Sequence, residues 1–262
     1  MTLVLLHSAG ETPAVWDGVR RSLLGVPVLA PPLPGREGAG PPATDVAIHA
    51  HVVLRAMDAA SVERATVAGH SLGGGVALWL ALTEPSRVAG LGLVSTGGRL
   101  RVNPQALAAL PDGLEDIAEM MAASNFPPGA PAGLVAGRRA SYLRVGAETV
   151  HADLTACDRF DVLDRLWEIR CRTQVLVGSE DVLTPPKYSR VLAERISAAR
   201  LVEYPGVGHM LPVERPAEVA GELAVLWAAS LGPERVKWAA TRSGAGSAPE
   251  AGGYPPAGGS PS

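Results

Sequence analysis

Between Arg64 and Leu82 the chain reads RATVAGHSLGGGVALWLAL, and this stretch leaves few ways to fold. Ala65 to Ala68 is a short apolar run that reads as a buried strand, while Leu72, Val76 and Leu80 recur at i, i+4 and i+8, one face of a helix. Ser71 therefore stands on a strand-to-helix turn. Gly69 and Gly73 flank it in the Gly-x-Ser-x-Gly pattern of a nucleophile elbow, where missing side chains let the backbone bend sharply enough to project a hydroxyl out of the sheet. The same turn puts the backbone N–H of Leu72 at a helix N-terminus, where partial positive charge can stabilise an oxyanion. A glycine-rich turn that merely closes a strand on a helix would suit Gly74 and Gly75 equally well. The chemical reading of Ser71 thus depends on whether the chain supplies a base, an acid and a second oxyanion donor.

The rest of the chain alternates strands and helices. Leu3 to Leu6 reads as a buried strand feeding the loop His7-Ser8-Ala9-Gly10, and Val15, Trp16, Val19 and Leu23 space out as a short helix. Val26 to Ala30 is a second strand, followed by the irregular PPLPGREGAGPP; Thr44-Asp45 caps a helix carrying Val46, Ala50, Val53, Leu54 and Met57 on one side. His49 and His51 lie on this helix but share no face, and read as solvated or partly buried helix residues. Val88 to Ser95 is another strand. Such alternation implies a mostly parallel sheet with helices on both faces. From Arg99 to Arg165 the rhythm changes to two helical stretches, Pro104 to Ser124 and Pro131 to Glu148, read as a helical cap inserted at residues 99–165 into an α/β core of residues 1–98 and 166–240. Strands resume at Gln174 to Val177 and Arg200 to Tyr204, with a helix from Lys187 to Ser197 between them and a closing helix from Glu214 to Leu231. Residues 241–262, rich in Gly, Pro and Ser, read as a disordered tail.

With 262 residues the chain is long enough for one large domain, and a net charge of −3 offers no basic footprint for nucleic acid. Cys157 and Cys171 lack metal-ligand spacing and read as small hydrophobes in a reducing compartment; no metal is expected. MTLVLLHSAG has no positive n-region and reaches polar residues after a short apolar run, so neither a secretory signal nor a membrane span is expected, and a cytoplasmic location is.

Two loops after predicted strands supply the missing partners. Asp181 follows QVLVGSE and His209 follows the last strand, both outside carboxyl ends of strands where open parallel sheets place functional groups. The order Ser71, Asp181, His209 fits a nucleophile, an acid that orients the imidazole, and a base that takes the serine proton. Glu180 competes for the acid role; the shorter Asp181 needs fewer ordered rotamers. The loop after the first strand offers the N–H of Ala9 as second oxyanion donor. His7 and His70, at the ends of apolar strands, read as loop braces. Leu107, Leu110, Leu114, Met120, Met121, Phe126, Leu134, Tyr142 and Leu143 divide between cap core and pocket wall, with Met120, Met121, Phe126, Tyr142 and Met210 the candidates for the wall.

Taken in order, LLHSAGETPAVW, PPLPGREG, VAGHSLGGGVAL, VLVGSEDVLTPP and PGVGHMLPVERPAEV resemble the segments of the α/β-hydrolase superfamily, and within it the compact capped carboxylesterases and 3-oxoadipate enol-lactonases. The resemblance implies Ser71 as nucleophile, Asp181 as acid, His209 as base, and the N–H groups of Ala9 and Leu72 as the oxyanion hole. It also implies that Asp153 to Arg170 links cap to sheet, with its acidic residues structural. Three departures stand out. His7-Ser8 replaces the usual His-Gly, Pro32-Leu33-Pro34-Gly35-Arg36-Glu37 replaces Asp-Leu-Pro-Gly-His-Gly, and the strand hairpin before the first central strand is missing, which implies a sheet of about six strands. Ser71 excludes the nucleophilic Asp of dehalogenases and epoxide hydrolases, and Met210 after the histidine disfavours carbon–carbon bond hydrolases, which have Trp there. The resemblance implies a cofactor-free serine hydrolase acting on a small to medium ester, with an enol-lactonase or a ligand-binding sensor of little turnover as alternatives.

Overall fold

In the computed structural model, which describes residues 1–231, six parallel strands form one sheet. They are β1 (Thr2–Leu6), β2 (Val28–Leu29), β3 (Ala65–His70), β4 (Val88–Val94), β5 (Arg172–Gly178) and β6 (Ala199–Tyr204), ordered β2-β1-β3-β4-β5-β6. The readings for residues 241–262, and for the core beyond 231, lie outside the described residues. The strand read over 26–30 shrinks to two residues. Pro27 has no N–H to give the ladder, and its carbonyl instead accepts from Leu3 N.

The sheet's two faces follow from strand periodicity. Along β1, Val4 and Leu6 enter one apolar core while Leu3 and Leu5 enter the other. The first core lies under α2 (Val46–Ala59) and α3 (Leu72–Thr83); the second lies under α1 (Asp17–Ser22) and the closing helix, Pro216–Ser230. All four of these strand residues are fully buried, worth about 1.5–3 kcal/mol each. β3 and β4 are buried along their whole length, as continuous apolar runs covered on both faces must be. Among the described residues no helix is long and apolar enough to cross a membrane.

Over the carboxyl edge of the sheet lie three helices, α4 (Pro104–Ala123), α5 (Ala132–Val145) and α6 (Ala147–Arg159), where the sequence suggests two. Gly146, at φ 86°, ends α5 and opens α6, so the run expected to link cap to sheet begins as a helix carrying Asp153. Leu110, Leu114, Ala118, Ala122, Tyr142 and Val150 give these helices a small core of their own. The two ends of the segment are tied together: Leu100 N donates to Phe160 O and Val162 N to Gly98 O. After β5 comes α7 (Pro186–Arg195); after β6 a short turn, α8 (Leu211–Glu214), precedes the closing helix α9 (Pro216–Ser230), whose start is set by Pro216.

Candidate active site

Ser71 occupies the one-residue bend between β3 and α3 at φ 53° and ψ −114°, a conformation that strains any residue with a Cβ. Its surroundings hold it there. Ser71 N donates to Val94 O at 3.0 Å, and Ser71 O accepts from Gly74 N, Gly75 N and the Thr96 hydroxyl at 2.9, 3.1 and 2.9 Å. The flanking glycines are required by space: a Cβ on Gly69 would overlap the Gly73 carbonyl, and one on Gly73 would overlap the carbonyl of Leu6. The Gly-x-Ser-x-Gly spacing is thus the footprint of a backbone crossing at van der Waals contact.

The structure brings Asp181, and not Glu180, to His209. His209 Nδ1 lies 2.9 Å from Asp181 Oδ2 and 3.3 Å from Thr184 Oγ1, with both ring and carboxylate buried. The exposed Glu180 instead accepts from the half-buried Ser179 hydroxyl. Asp181 is fully subscribed: Oδ1 accepts from Leu183 N and Thr184 N at 3.0 and 2.9 Å, and Oδ2 accepts from the Thr184 hydroxyl at 2.8 Å. Burial alone would push its pKa up, but the charge and hydrogen bond of His209 and the donors of Thr184 outweigh it and hold the carboxyl below its ordinary 3.8. His209's backbone is braced from two sides. His70 Nε2 donates to His209 O at 2.8 Å, and His209 N donates to Asn125 O at 2.9 Å.

Ala9 sits in a loop whose peptide planes are each pinned. Ser8 O lies 3.0 Å from His7 Nδ1 and accepts from Glu11 N; because N–H and C=O point oppositely in a trans peptide, this also sets the direction of the Ala9 N–H. Burial, then the nearby Arg36 charge, drive the His7 pKa far down. The ring is therefore neutral; Nε2 accepts from Leu33 N at 3.1 Å, which leaves the proton on Nδ1 for Ser8 O. The next plane is clamped at both ends by the helices above. Arg138 Nη2 donates to Ala9 O at 2.8 Å, and Gly10 N donates to Asp153 Oδ2 at 2.9 Å.

Those two charges are compensated in place. Arg36 bonds both oxygens of Asp153, at 2.8 and 2.6 Å, and Arg138 pairs with Glu11 at 2.6 Å while its Nε reaches Asn125 Oδ1 at 3.1 Å. Arg36, which PPLPGREG carries, is thus linked through Asp153 to the backbone of the Ala9–Gly10 loop. Arg138→Met would leave the Glu11 carboxylate buried without its cation, an imbalance worth about 3–5 kcal/mol in comparable pairs. Thermal melting should drop by about 10 °C, with part of the loss restored by adding Glu11→Gln. A melt within about 2 °C of wild type would show that the pair carries no such weight.

Ser71 and His209 line one cavity of about 300 Å³, with Leu100, Val102, Leu154 and Leu183 giving it an apolar wall. Of the five residues proposed from sequence as its wall, Met120, Met121 and Tyr142 are there, and Phe126 and Met210 are not. Those two are buried in the core beneath, with Val207 and Leu211, and border a different cavity beside Arg138. A residue next to the histidine in sequence turns the opposite way, and apolar character does not reveal which way. Cys157 also reaches the Ser71 cavity, and burial pushes its thiol pKa up, so it stays protonated. Sequence reasoning missed Asn125, Arg138, Ser141 and Thr184; Thr184, three residues after Asp181, is the one whose Asx-type turn was readable.

Residues 3–222 match the model of a family described as the alpha/beta hydrolase family. A hydrolase from Pseudomonas aeruginosa PA01 of known structure is 30% identical, with a TM-score of 0.78 over 88% of this chain and 90% of that one. The pimeloyl-acyl-carrier-protein methyl ester esterase of Aromatoleum aromaticum is 30% identical over 240 residues, 83% of this chain and 94% of its own. The enol-lactonase from Burkholderia xenovorans LB400, at 22% identity, matches in fold with a TM-score of 0.80 over 86% of this chain and 90% of that one.

Proposed function

Since the chain belongs to the alpha/beta hydrolase family, we propose that it is a serine hydrolase that cleaves a small to medium carboxylic ester through an acyl-enzyme. The observation that carries this reading is the Asp181–His209 hydrogen bond of 2.9 Å with His209 and the strained Ser71 on one apolar cavity. Asp181 accepts from Nδ1, so the lone pair of Nε2 is free to take the Ser71 proton as Oγ attacks the ester carbonyl. The tetrahedral oxyanion is met by the N–H groups of Leu72, at the start of α3, and Ala9. Collapse breaks the bond to the alcohol oxygen, which leaves with the proton from His209. Water, deprotonated by His209, then attacks the acyl-enzyme and returns Ser71 and the acid. Residues 99–165 act as the cap, whose Arg138 and Asp153 set the oxyanion loop.

A cavity of about 300 Å³ with aliphatic walls suits an acyl chain of small to medium size. The test is intact-mass labelling with a fluorophosphonate together with hydrolysis of p-nitrophenyl esters of increasing chain length. A single adduct on wild type, absent from Ser71→Ala, with turnover that peaks at one chain length is the expected result. No adduct on wild type, or one that survives Ser71→Ala, would sink the assignment.

A further inference from the structure

A second cavity, of about 460 Å³, adjoins the one at Ser71, and Arg101 lines both. Its wall carries four cationic side chains, Arg99, Arg101, Lys187 and Arg195, and no carboxylate. In a chain whose net charge is −3, that is a local reversal of sign. Two of the four have polar partners, Arg99 with Asp161 at 3.2 Å and Arg195 with Leu163 O at 3.1 Å, and Lys187 Nζ stands 5.8 Å from the centre of the Tyr188 ring. Arg101 and Lys187 have no carboxylate within 4.0 Å among the described residues. Lys187 and Tyr188 belong to the first turn of α7, where the helix dipole adds to the positive potential. Like charges gathered around a concave surface repel one another and focus a field that an anion relieves.

We propose that this cavity is an anion subsite, and that the ester cleaved at Ser71 carries a carboxylate or phosphate group remote from its scissile carbonyl. The inference rests on the hydrolase reading for the reaction and on the cationic wall for the ligand. The acyl or alcohol portion next to the reacting carbonyl fills the aliphatic cavity. The charged end passes Arg101 and is held between the cations of the 99–101 segment and those of α7. Arg101, bordering both spaces, is the specificity-determining residue, and the wall's exposed guanidinium and ammonium groups suit a charged end that stays partly hydrated.

Binding is measured by calorimetry on the Ser71→Ala protein, so that no turnover intervenes. Three p-nitrophenyl-type esters of matched size serve as probes: a neutral one, one with a carboxylate at the end of the acyl chain, and one with a phosphate on the phenol. One or both anionic probes should bind about tenfold more tightly than the neutral one at low salt, with the advantage shrinking as ionic strength rises. Which of the two does so identifies the charged half. Arg101→Gln, and separately Lys187→Gln with Arg195→Gln, should each bring the anionic-to-neutral affinity ratio down to near unity. Equal affinities for all three probes, or a ratio that survives these changes, overturn the inference. Should wild type hydrolyse none of the probes while the ratio behaves as stated, the subsite stands and the hydrolase reading is what fails.

Discussion

Ser71→Ala is expected to lower kcat on its best ester by about 10⁴–10⁶-fold while the melting temperature stays near that of wild type. His209→Ala should lower kcat about as much, and the double variant should be scarcely worse than either, because in the proposed mechanism nucleophile and base act as one unit. For Ser71→Ala the fold survives for a structural reason. Ser71 contributes its backbone, not its hydroxyl, to the elbow: its N–H and C=O make the bonds to Val94, Gly74, Gly75 and Thr96. Removing the hydroxyl leaves all of those intact. Steady-state rates on wild type, both single variants and the double variant decide it. If either single variant keeps more than about a hundredth of the wild-type kcat, or if the losses multiply, the proposed mechanism is wrong.

What the sequence made legible, it did through local rules. The apolar runs at Leu3–Leu6, Ala65–Ala68 and Val88–Ser95 are strands because buried parallel strands need no alternation, and Gly69 and Gly73 mark the elbow because only hydrogen fits where two backbones cross. The closing helix, α7 and α2 were readable from caps, prolines and spacing. What stayed hidden depends on partners far away in the chain. Arg138 sits on a helix as a long charged residue usually does in solvent, yet it is buried on Ala9, Gly10 and Glu11, about 130 positions earlier. Asp153 is hidden in the same way, and so is the extra helix that carries it, because nothing local to Gly146 distinguishes a helix interior from a break. Phe126 and Met210 show the complementary limit: hydrophobicity places a residue indoors without saying which side of the wall it faces.

Asp181→Asn should lower kcat by about 10⁴-fold, and the hydrogen-bond pattern says why. Oδ1 of Asp181 accepts from two backbone N–H groups, those of Leu183 and Thr184, so in the variant the amide oxygen must take that place; an NH₂ group there would face two donors. The NH₂ group is thereby forced into the position of Oδ2, facing His209 Nδ1 and the Thr184 hydroxyl. Nδ1 becomes an acceptor, and the imidazole proton moves to Nε2, the nitrogen that the proposed mechanism needs bare to receive the Ser71 proton. The base is lost by a change of tautomer with hardly an atom displaced. Glu180→Gln, whose side chain answers only Ser179, should leave kcat within about twofold, so the pair of variants separates the two acidic neighbours. The same contacts make a stability prediction with a definite sign. Because they hold the Asp181 carboxyl below 3.8, their contribution to folding is complete above that value and is lost as pH falls through the lowered one. Asp181→Asn should therefore melt less steeply with acid than wild type. If it lost less than about tenfold in kcat, or if Glu180→Gln proved the more damaging, the carboxylate at 181 would not be the group that holds the histidine in its working form.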